Sequence, residues 1–328
     1  MNFIAPETAN NKIVIIGGGH VGVSLFCDFF VRLQDGSDRA RLLYIRDEAV
    51  GRWNSDTELT FNDLFQGTSH RIVAEGSSFD SVYSTQAVEW LNAAQHILIT
   101  VPDIPYVRPG ILNHLLENVD MRGKVLVLCR AGQGGAPFMA GRIRADRRLH
   151  DSDIVMIEDA FYGTRFIDNT VDCKRKYRIN VGIASRNITR AVTRMQEIFP
   201  PGTSSELPSW PHFDVQPLAS VLFDPLGYII HVGVTLCDRN IERTRRGEVY
   251  THYIDGIDRE LAAQLAQLDA ERVEIAAAFG VDAPSFPQTI ARQYKKPLLP
   301  DFYEMMQSCR DIYKSKSPAS LDELISSR

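Results

Sequence analysis

The sequence predicts an α/β protein in two parts: a doubly wound parallel-sheet domain over residues 1–205 and an all-helical domain over residues 206–328. Three observations predict it. Short apolar runs alternate with longer helical stretches through the first two-thirds of the chain, the pattern of parallel strands joined by crossover helices. The stretch FPPGTSSELPSWP (199–211) then gathers prolines, serines and a glycine, as a domain boundary does. Beyond it the apolar spacing is helical. The length of 328 residues suits two domains of roughly 150 residues each.

In chain order the expected strands are KIVII (12–16), RLLYI (41–45), HRIVA (70–74), HILITV (96–101), KVLVL (124–128), DIVMI (153–157) and YRINVGIA (177–184). Several are apolar throughout, as strands covered on both faces are. Helices are expected between them over 21–32, 84–94, 106–117, 136–147 and 188–199. In the second domain the clearest helix covers 258–280. Leu261, Leu265, Leu268, Val273, Ile275 and Phe279 keep helical spacing there, and Gly280 is a natural stop. PDFYEMMQSCRDIYKS and SLDELISS read as two further helices.

A hydrophobic fraction of 44% with 23% charged residues is ordinary for a globular protein. The net charge of −5 provides no field that would draw nucleic acid or an anionic membrane. The basic run GRIRADRRLH (141–150) reads as a solvated helix face. The five cysteines are scattered, with no CxxC pair, so reduced thiols and no metal site are expected. No apolar run reaches the roughly 18–20 residues of a membrane span, and no signal-peptide pattern is present. A cytoplasmic protein is expected.

KIVIIGGGHVGVSL (12–25) holds Gly17, Gly19 and Gly22 in the order G-x-G-x-x-G, after a strand and before a helix. That context makes it the phosphate loop of a Rossmann domain. Gly17 permits the turn, Gly19 lets a pyrophosphate approach, and Gly22 allows close packing of helix on strand. The first helical amides, at His20 and Val21, would face the phosphates. The His20 side chain reads as a helix-start residue with no chemical task. The second strand ends LLYIRD, where Arg46 suits a 2′-phosphate, so NADP(H) is favoured over NAD. A one-residue shift would put Asp47 in the acidic role that suits NAD.

Four further stretches follow in order: CRAGQGGAPFMAG (129–141), FYGTRFID (161–168), FDPLGYIIHVGVTLCDRNIERTRRGEVYTHYIDGI (223–257) and LDAERVEIAAAFG (268–280). With the glycine loop, this order resembles the octopine/nopaline (opine) dehydrogenase family over most of the chain. YGTRFIDNTVDCKRKYRINVGIAS (162–185) is also similar to staphylopine-type metallophore dehydrogenases. The resemblance implies reductive condensation of an α-keto acid with the amine of an amino acid or related compound, using NAD(P)H. It also implies a Rossmann domain, a helical domain, an active site between the two, and a homodimer. A histidine early in the second domain acts as acid/base in such enzymes, commonly in N-x-x-x-H-P. His231 in DPLGYIIH matches it. Asp224 replaces the Asn there, the spacing is longer, and Val232 replaces the Pro. The family's later LLN stands here as Leu236, Cys237 and Asp238.

Hydride transfer to a C=O or C=N carbon needs a positioned proton donor, and histidine titrates in the right range. His231 is that candidate; its plainer reading, in the apolar run YIIHVGV, is a core histidine. A carboxylate usually orients such a histidine. Asp301 in LLPDFYEM ranks first because the family's partner lies late in the chain, ahead of Asp224 and Asp238. A keto-acid carboxylate suits a bidentate arginine, and Arg165 in YGTR is the candidate, against a plain surface ion pair. Tyr253 is expected to line the substrate cleft. Gly132 and Gln133, in AGQGG, are expected at the nicotinamide ribose, against a plain tight turn. Two other functions compete: a keto-acid or hydroxy-acid reductase on the ketopantoate or glycerol-3-phosphate dehydrogenase plan, and a non-catalytic dinucleotide-binding protein.

Overall fold

The structure, a computed structural model, describes residues 12–32, 39–53, 55–102, 104, 106–130, 141–142, 145–200, 210–223 and 229–326. The chain forms two compact units, Met1–Leu222 and Phe223–Arg328. The division falls later than residue 205, because the chain past the proline-rich stretch still belongs to the first sheet.

That sheet has eight strands in the order β12-β11-β8-β7-β6-β1-β2-β5. They are β1 (Ile13–Ile16), β2 (Ala40–Tyr44), β5 (Phe79–Ser81), β6 (His96–Ile99), β7 (Val125–Leu128), β8 (Asp153–Ile157), β11 (Arg178–Ala184) and β12 (His212–Gln216). The run from β5 to β8 is parallel throughout. β11 departs from the expected parallel pattern: it runs antiparallel to β8, and β12 lies parallel beside it. Helices cover both faces. On one are α1 (His20–Arg32) and, later, α4 (Ile188–Ile198); on the other are α2 (Thr85–Ala93) and α3 (Val107–Asn118). Residues of β1 alternate between them, Ile13 and Ile15 in one core and Val14 and Ile16 in the other, as the period-2 geometry of a strand requires. The helix expected over 136–147 falls mostly outside the described residues.

A second sheet of four strands, β4-β3-β10-β9, was not expected. It joins β3 (Thr57–Asp63), β4 (Thr68–Ala74), β9 (Tyr162–Ile167) and β10 (Thr170–Arg175). HRIVA therefore belongs to β4, antiparallel to β3, and not to the parallel sheet. Its burial explains the difference: Ile72 and Ala74 are buried while Arg71 and Val73 are exposed, the alternation of a sheet covered on one face.

This sheet is fastened along one face of α1. His20, Ser24, Asp28 and Arg32 recur every fourth residue on a helix that is otherwise largely apolar. Nδ1 of His20 accepts from the amide of Phe166 at 2.9 Å, Ser24 bonds the Thr164 hydroxyl, and Tyr162 donates to Asp28 at 2.6 Å. Four residues along a helix advance about 6 Å. Two along a strand advance about 6.6 Å. The two repeats therefore stay in step, with β9 running back along α1. At the buried end Arg175 donates both terminal nitrogens to Asp28 at 2.8 Å and Nε to Asp63 at 2.5 Å. Arg32 adds a 2.6 Å bond to Asp28 and lies 4.0 Å from Asp63. Burial, then the charge of Asp28, keeps the Tyr162 phenol protonated far above its usual range, so it serves as donor.

In the second unit α5 (His231–Leu236), α6 (Asp238–Arg245), α7 (Arg259–Ala278), α8 (Phe286–Tyr294), α9 (Phe302–Gln307) and α10 (Leu321–Ser326) are the helices among the described residues. The core positions expected on α7 are corrected in part. Leu261 and Leu265 are buried, but Leu268, Ile275 and Phe279 are 51%, 53% and 75% exposed. The buried face instead includes an ion pair, Asp269 with Arg272 at 2.7 Å. Asp269 also accepts from the Phe286 amide at 2.6 Å, and Arg272 donates to the Phe223 carbonyl at 2.6 Å. Among the described residues no helix is long and apolar enough to cross a membrane.

Replacing Arg175 with Met removes the buried cation that bridges Asp28 and Asp63 and leaves Arg32 as their remaining cation among the described residues. Urea unfolding should show a loss of about 3–5 kcal/mol; a loss below about 1 kcal/mol would mean that the network does not hold the sheet.

Candidate functional site

The order of the parallel strands reverses between β1 and β6, and the glycine loop leaves the carboxyl end of β1 at that point. Open α/β sheets bind ligands there. Gly17 has φ 122°, a conformation that L side chains rarely adopt. A Cβ on Gly22 would lie 1.7 Å from the Gly17 carbonyl oxygen, so a side chain there would push α1 off the loop. At Gly19 a Cβ would meet nothing within 4 Å. The first and third glycines are thus required by the protein's own packing, and the second borders open space. Thr100, just past β6, donates to the carbonyls of Ile16 and Gly17 at 3.1 and 3.0 Å and fixes the turn.

His20, the first residue of α1, has a defined state. Burial, and next the charge of Arg165, hold its pKa below the usual value. The ring is neutral at pH 7, and Nδ1 accepts from Phe166, so the proton sits on Nε2. The imidazole thus carries an N–H at the start of α1, next to the glycine loop. Arg165 lies within β9, between the two residues whose side chain or amide engages α1. Its charge therefore acts beside the glycine loop.

Two arginines that the sequence reading passed over shape the carboxyl ends of β6 and β7. Arg108, 3% exposed on α3, donates to the carbonyls of Val101 at 2.8 and 3.1 Å, Arg130 at 3.1 Å, and Cys129. A cation on an otherwise apolar helix face was its only signal. Arg130 has a left-handed backbone, φ 52°, and its side chain pairs with Asp159 at 3.2 Å. Lys176 contacts the same carboxylate. Gly132 and Gln133, in the next loop, lie outside the described residues, as does Asp224.

Arg46 stands two residues past β2, exposed, at the N-cap position of the helical turn Asp47–Val50, and its side chain makes no capping bond. A cavity of about 410 Å³ lined by Trp53, Asp56, Glu75 and Phe79 opens near the start of β5. Among the described residues no cluster of His, Cys, Asp and Glu is placed to hold a metal ion.

In the second unit His231 is the first residue of α5 and is half-buried. Its Nδ1 lies 2.5 Å from the Tyr253 hydroxyl, with the rings edge to face at 80°. Asp301 is not the residue on this ring. It is exposed and caps α9, accepting from the Glu304 amide at 2.8 Å. The sequence put an Asp ahead of a helical run, and such a residue satisfies its own helix end. Asp238 is exposed at the start of α6.

Residues 215–328 match the family model described as NAD/NADP octopine/nopaline dehydrogenase, alpha-helical domain. The match spans the whole of the second unit, which is similar to that helical domain. Solved structures extend the likeness to the whole fold. Octopine dehydrogenase in complex with NADH and agmatine superposes with a TM-score of 0.65 at 17% identity, covering 93% of this chain and 75% of that one. A yersinopine dehydrogenase without ligand gives 0.60 at 14% identity, covering 92% and 75%. The 2-dehydropantoate 2-reductase from Methylococcus capsulatus gives 0.51 at 14% identity, covering 95% and 83%. No curated protein sequence matches the chain.

The glycine geometry separates two substitutions. Gly22→Ala should cost the ligand-free protein about 1–3 kcal/mol by overpacking. Gly19→Ala should stay within about 0.5 kcal/mol of the parent. Equal losses in urea unfolding would show that Gly19 also packs against protein.

Proposed function

We propose that the chain is an NAD(P)H-dependent dehydrogenase of the opine type, joining an α-keto acid to the amine of an amino acid or related compound and reducing the C=N bond. One observation carries the reading: a helical unit similar to this family's follows, in the same chain, a glycine loop whose middle glycine borders open space. The loop fits a pyrophosphate, with the amides at His20 and Val21 and the Nε2–H of His20 as donors. Gly17 and Gly22 hold the loop in shape. Arg165, with its charge beside His20, belongs to the phosphate side of the cofactor more than to the keto-acid carboxylate. Arg46 reads the 2′-phosphate, which makes NADPH the preferred cofactor.

When bound, the reduced nicotinamide supplies a hydride to the C=N carbon. The chain's own residues manage protons. Condensation expels the keto oxygen as water, which requires two protons on that oxygen, one taken from the amine nitrogen and one from solvent, and leaves an iminium carbon for the hydride. His231 is assigned this transfer in both directions.

Two measurements test the proposal. A matrix of keto acids against amines, followed by loss of reduced-nicotinamide absorbance, should show turnover only where both are present. Turnover with a keto acid alone would establish the simpler reductase; tight cofactor binding with no turnover would establish a binding protein. Arg46→Ala should weaken NADPH by about 1.5–3 kcal/mol and leave NADH unchanged. Equal NADPH and NADH affinities in the parent would remove Arg46 from the role.

A further inference from the structure

We propose that Tyr253 is the positioning residue for His231; this rests on His231 being the proton-transferring group. The Tyr253 hydroxyl meets Nδ1 at 2.5 Å, and its surroundings leave the ring little freedom. Tyr253 is 6% exposed. His252 meets it edge to face with centroids 4.7 Å apart, and Tyr313 does so at 5.7 Å. Tyr313 is held in turn by Tyr294 at 6.1 Å.

The backbone beneath is equally fixed. The amides of Ile254, Asp255 and Gly256 all converge on the carbonyl of Thr251, at 3.2, 2.8 and 3.2 Å. A Cβ on Gly256 would come within 2.0 Å of the His252 carbonyl oxygen, so the turn closes to this tightness only with glycine there. The His252 amide donates to Ser315 at 2.8 Å, and Thr251 forms a β-bridge with Lys316. A phenol mounted on such a turn is a fixed point against which a half-buried imidazole sets its plane.

A phenol differs from a carboxylate in the charge it brings to the ring. A carboxylate is acceptor-only, and its charge favours the imidazolium. A phenol oxygen accepts from Nδ1–H whether the ring is neutral or charged. It stays bonded in both states of a proton-transfer cycle and adds no charge to either. The consequence is specific: the neutral ring keeps its proton on Nδ1, donated to the Tyr253 oxygen, and Nε2, with its lone pair, is the nitrogen that exchanges protons with the reactants.

The test is Tyr253→Phe, which keeps the ring and deletes the hydroxyl. Nitrogen-15 NMR of histidine-labelled protein, with the His231 signal assigned from its loss in His231→Gln, should find the Nδ1–H tautomer in the parent and a mixture of tautomers in Tyr253→Phe. With a keto acid and amine that turn over, kcat should fall about ten- to a hundred-fold. KM should change little, and the pH optimum should move by about half a unit or more. An Nε2–H tautomer in the parent overturns the proposal, and that reading does not depend on the variant folding. Unchanged tautomer, kcat and pH profile in a folded Tyr253→Phe overturn it as well. If no substrate pair turns over, the assignment of function fails, while the NMR still decides whether Tyr253 sets the ring.

Discussion

The first unit depends on the seam between α1 and β9, anchored at its buried end by Arg175. A guanidinium that is 1% exposed is costly to desolvate and is tolerable only with its charge matched. Asp28 and Asp63 match it, one from the helix and one from the second sheet. Asp28 lies about two turns along α1 from His20, so whatever fixes Asp28 fixes the axis that presents the glycine loop. Ser24 and His20 continue the same row to the loop itself. The second sheet is therefore a brace for α1.

The seam also sets chemistry. The Phe166 amide that ends the row determines which nitrogen of His20 carries the proton. Burial and Arg165 keep that ring neutral. On the proposed function, the glycine loop gains a donor whose orientation is set by the protein's own backbone. The same logic recurs in the second unit, where His231 takes its orientation from a neutral phenol held by a ring cluster. In both places a histidine is set by one bond at Nδ1 with a rigid neighbour.

The sequence showed the local parts of this arrangement clearly. Ile13–Ile16 followed by Gly17, Gly19 and Gly22 is a contiguous pattern, and its context identifies it. The helices α1 to α4 of the first unit and α7, α9 and α10 of the second were legible for the same reason, since their spacing is internal to each; α5, α6 and α8 were not marked out. The second sheet was not legible, because β3 and β10 are parallel partners separated by more than a hundred residues. Nothing in Thr57–Asp63 announces that partner. The row His20, Ser24, Asp28, Arg32 was visible as polar residues at helical spacing, and it was absorbed into an apolar helix. Tyr253 was noticed but placed on the substrate, and Asp301 was preferred as the partner of His231. The preference came from the partner's late place in the chain of the resembling family, whereas the outcome was decided by reach: Asp301 sits at a helix end that its own carboxylate caps.

Isotope transfer tests the central claim most directly. NADPH carrying deuterium at both C4 positions is mixed with the protein, a set of α-keto acids and a set of amino acids, and the products are resolved by mass spectrometry. The account predicts a secondary amine with one deuterium on the carbon that was the keto carbon. Deuterium appearing only in a 2-hydroxy acid, with the amino acids unchanged, would contradict it.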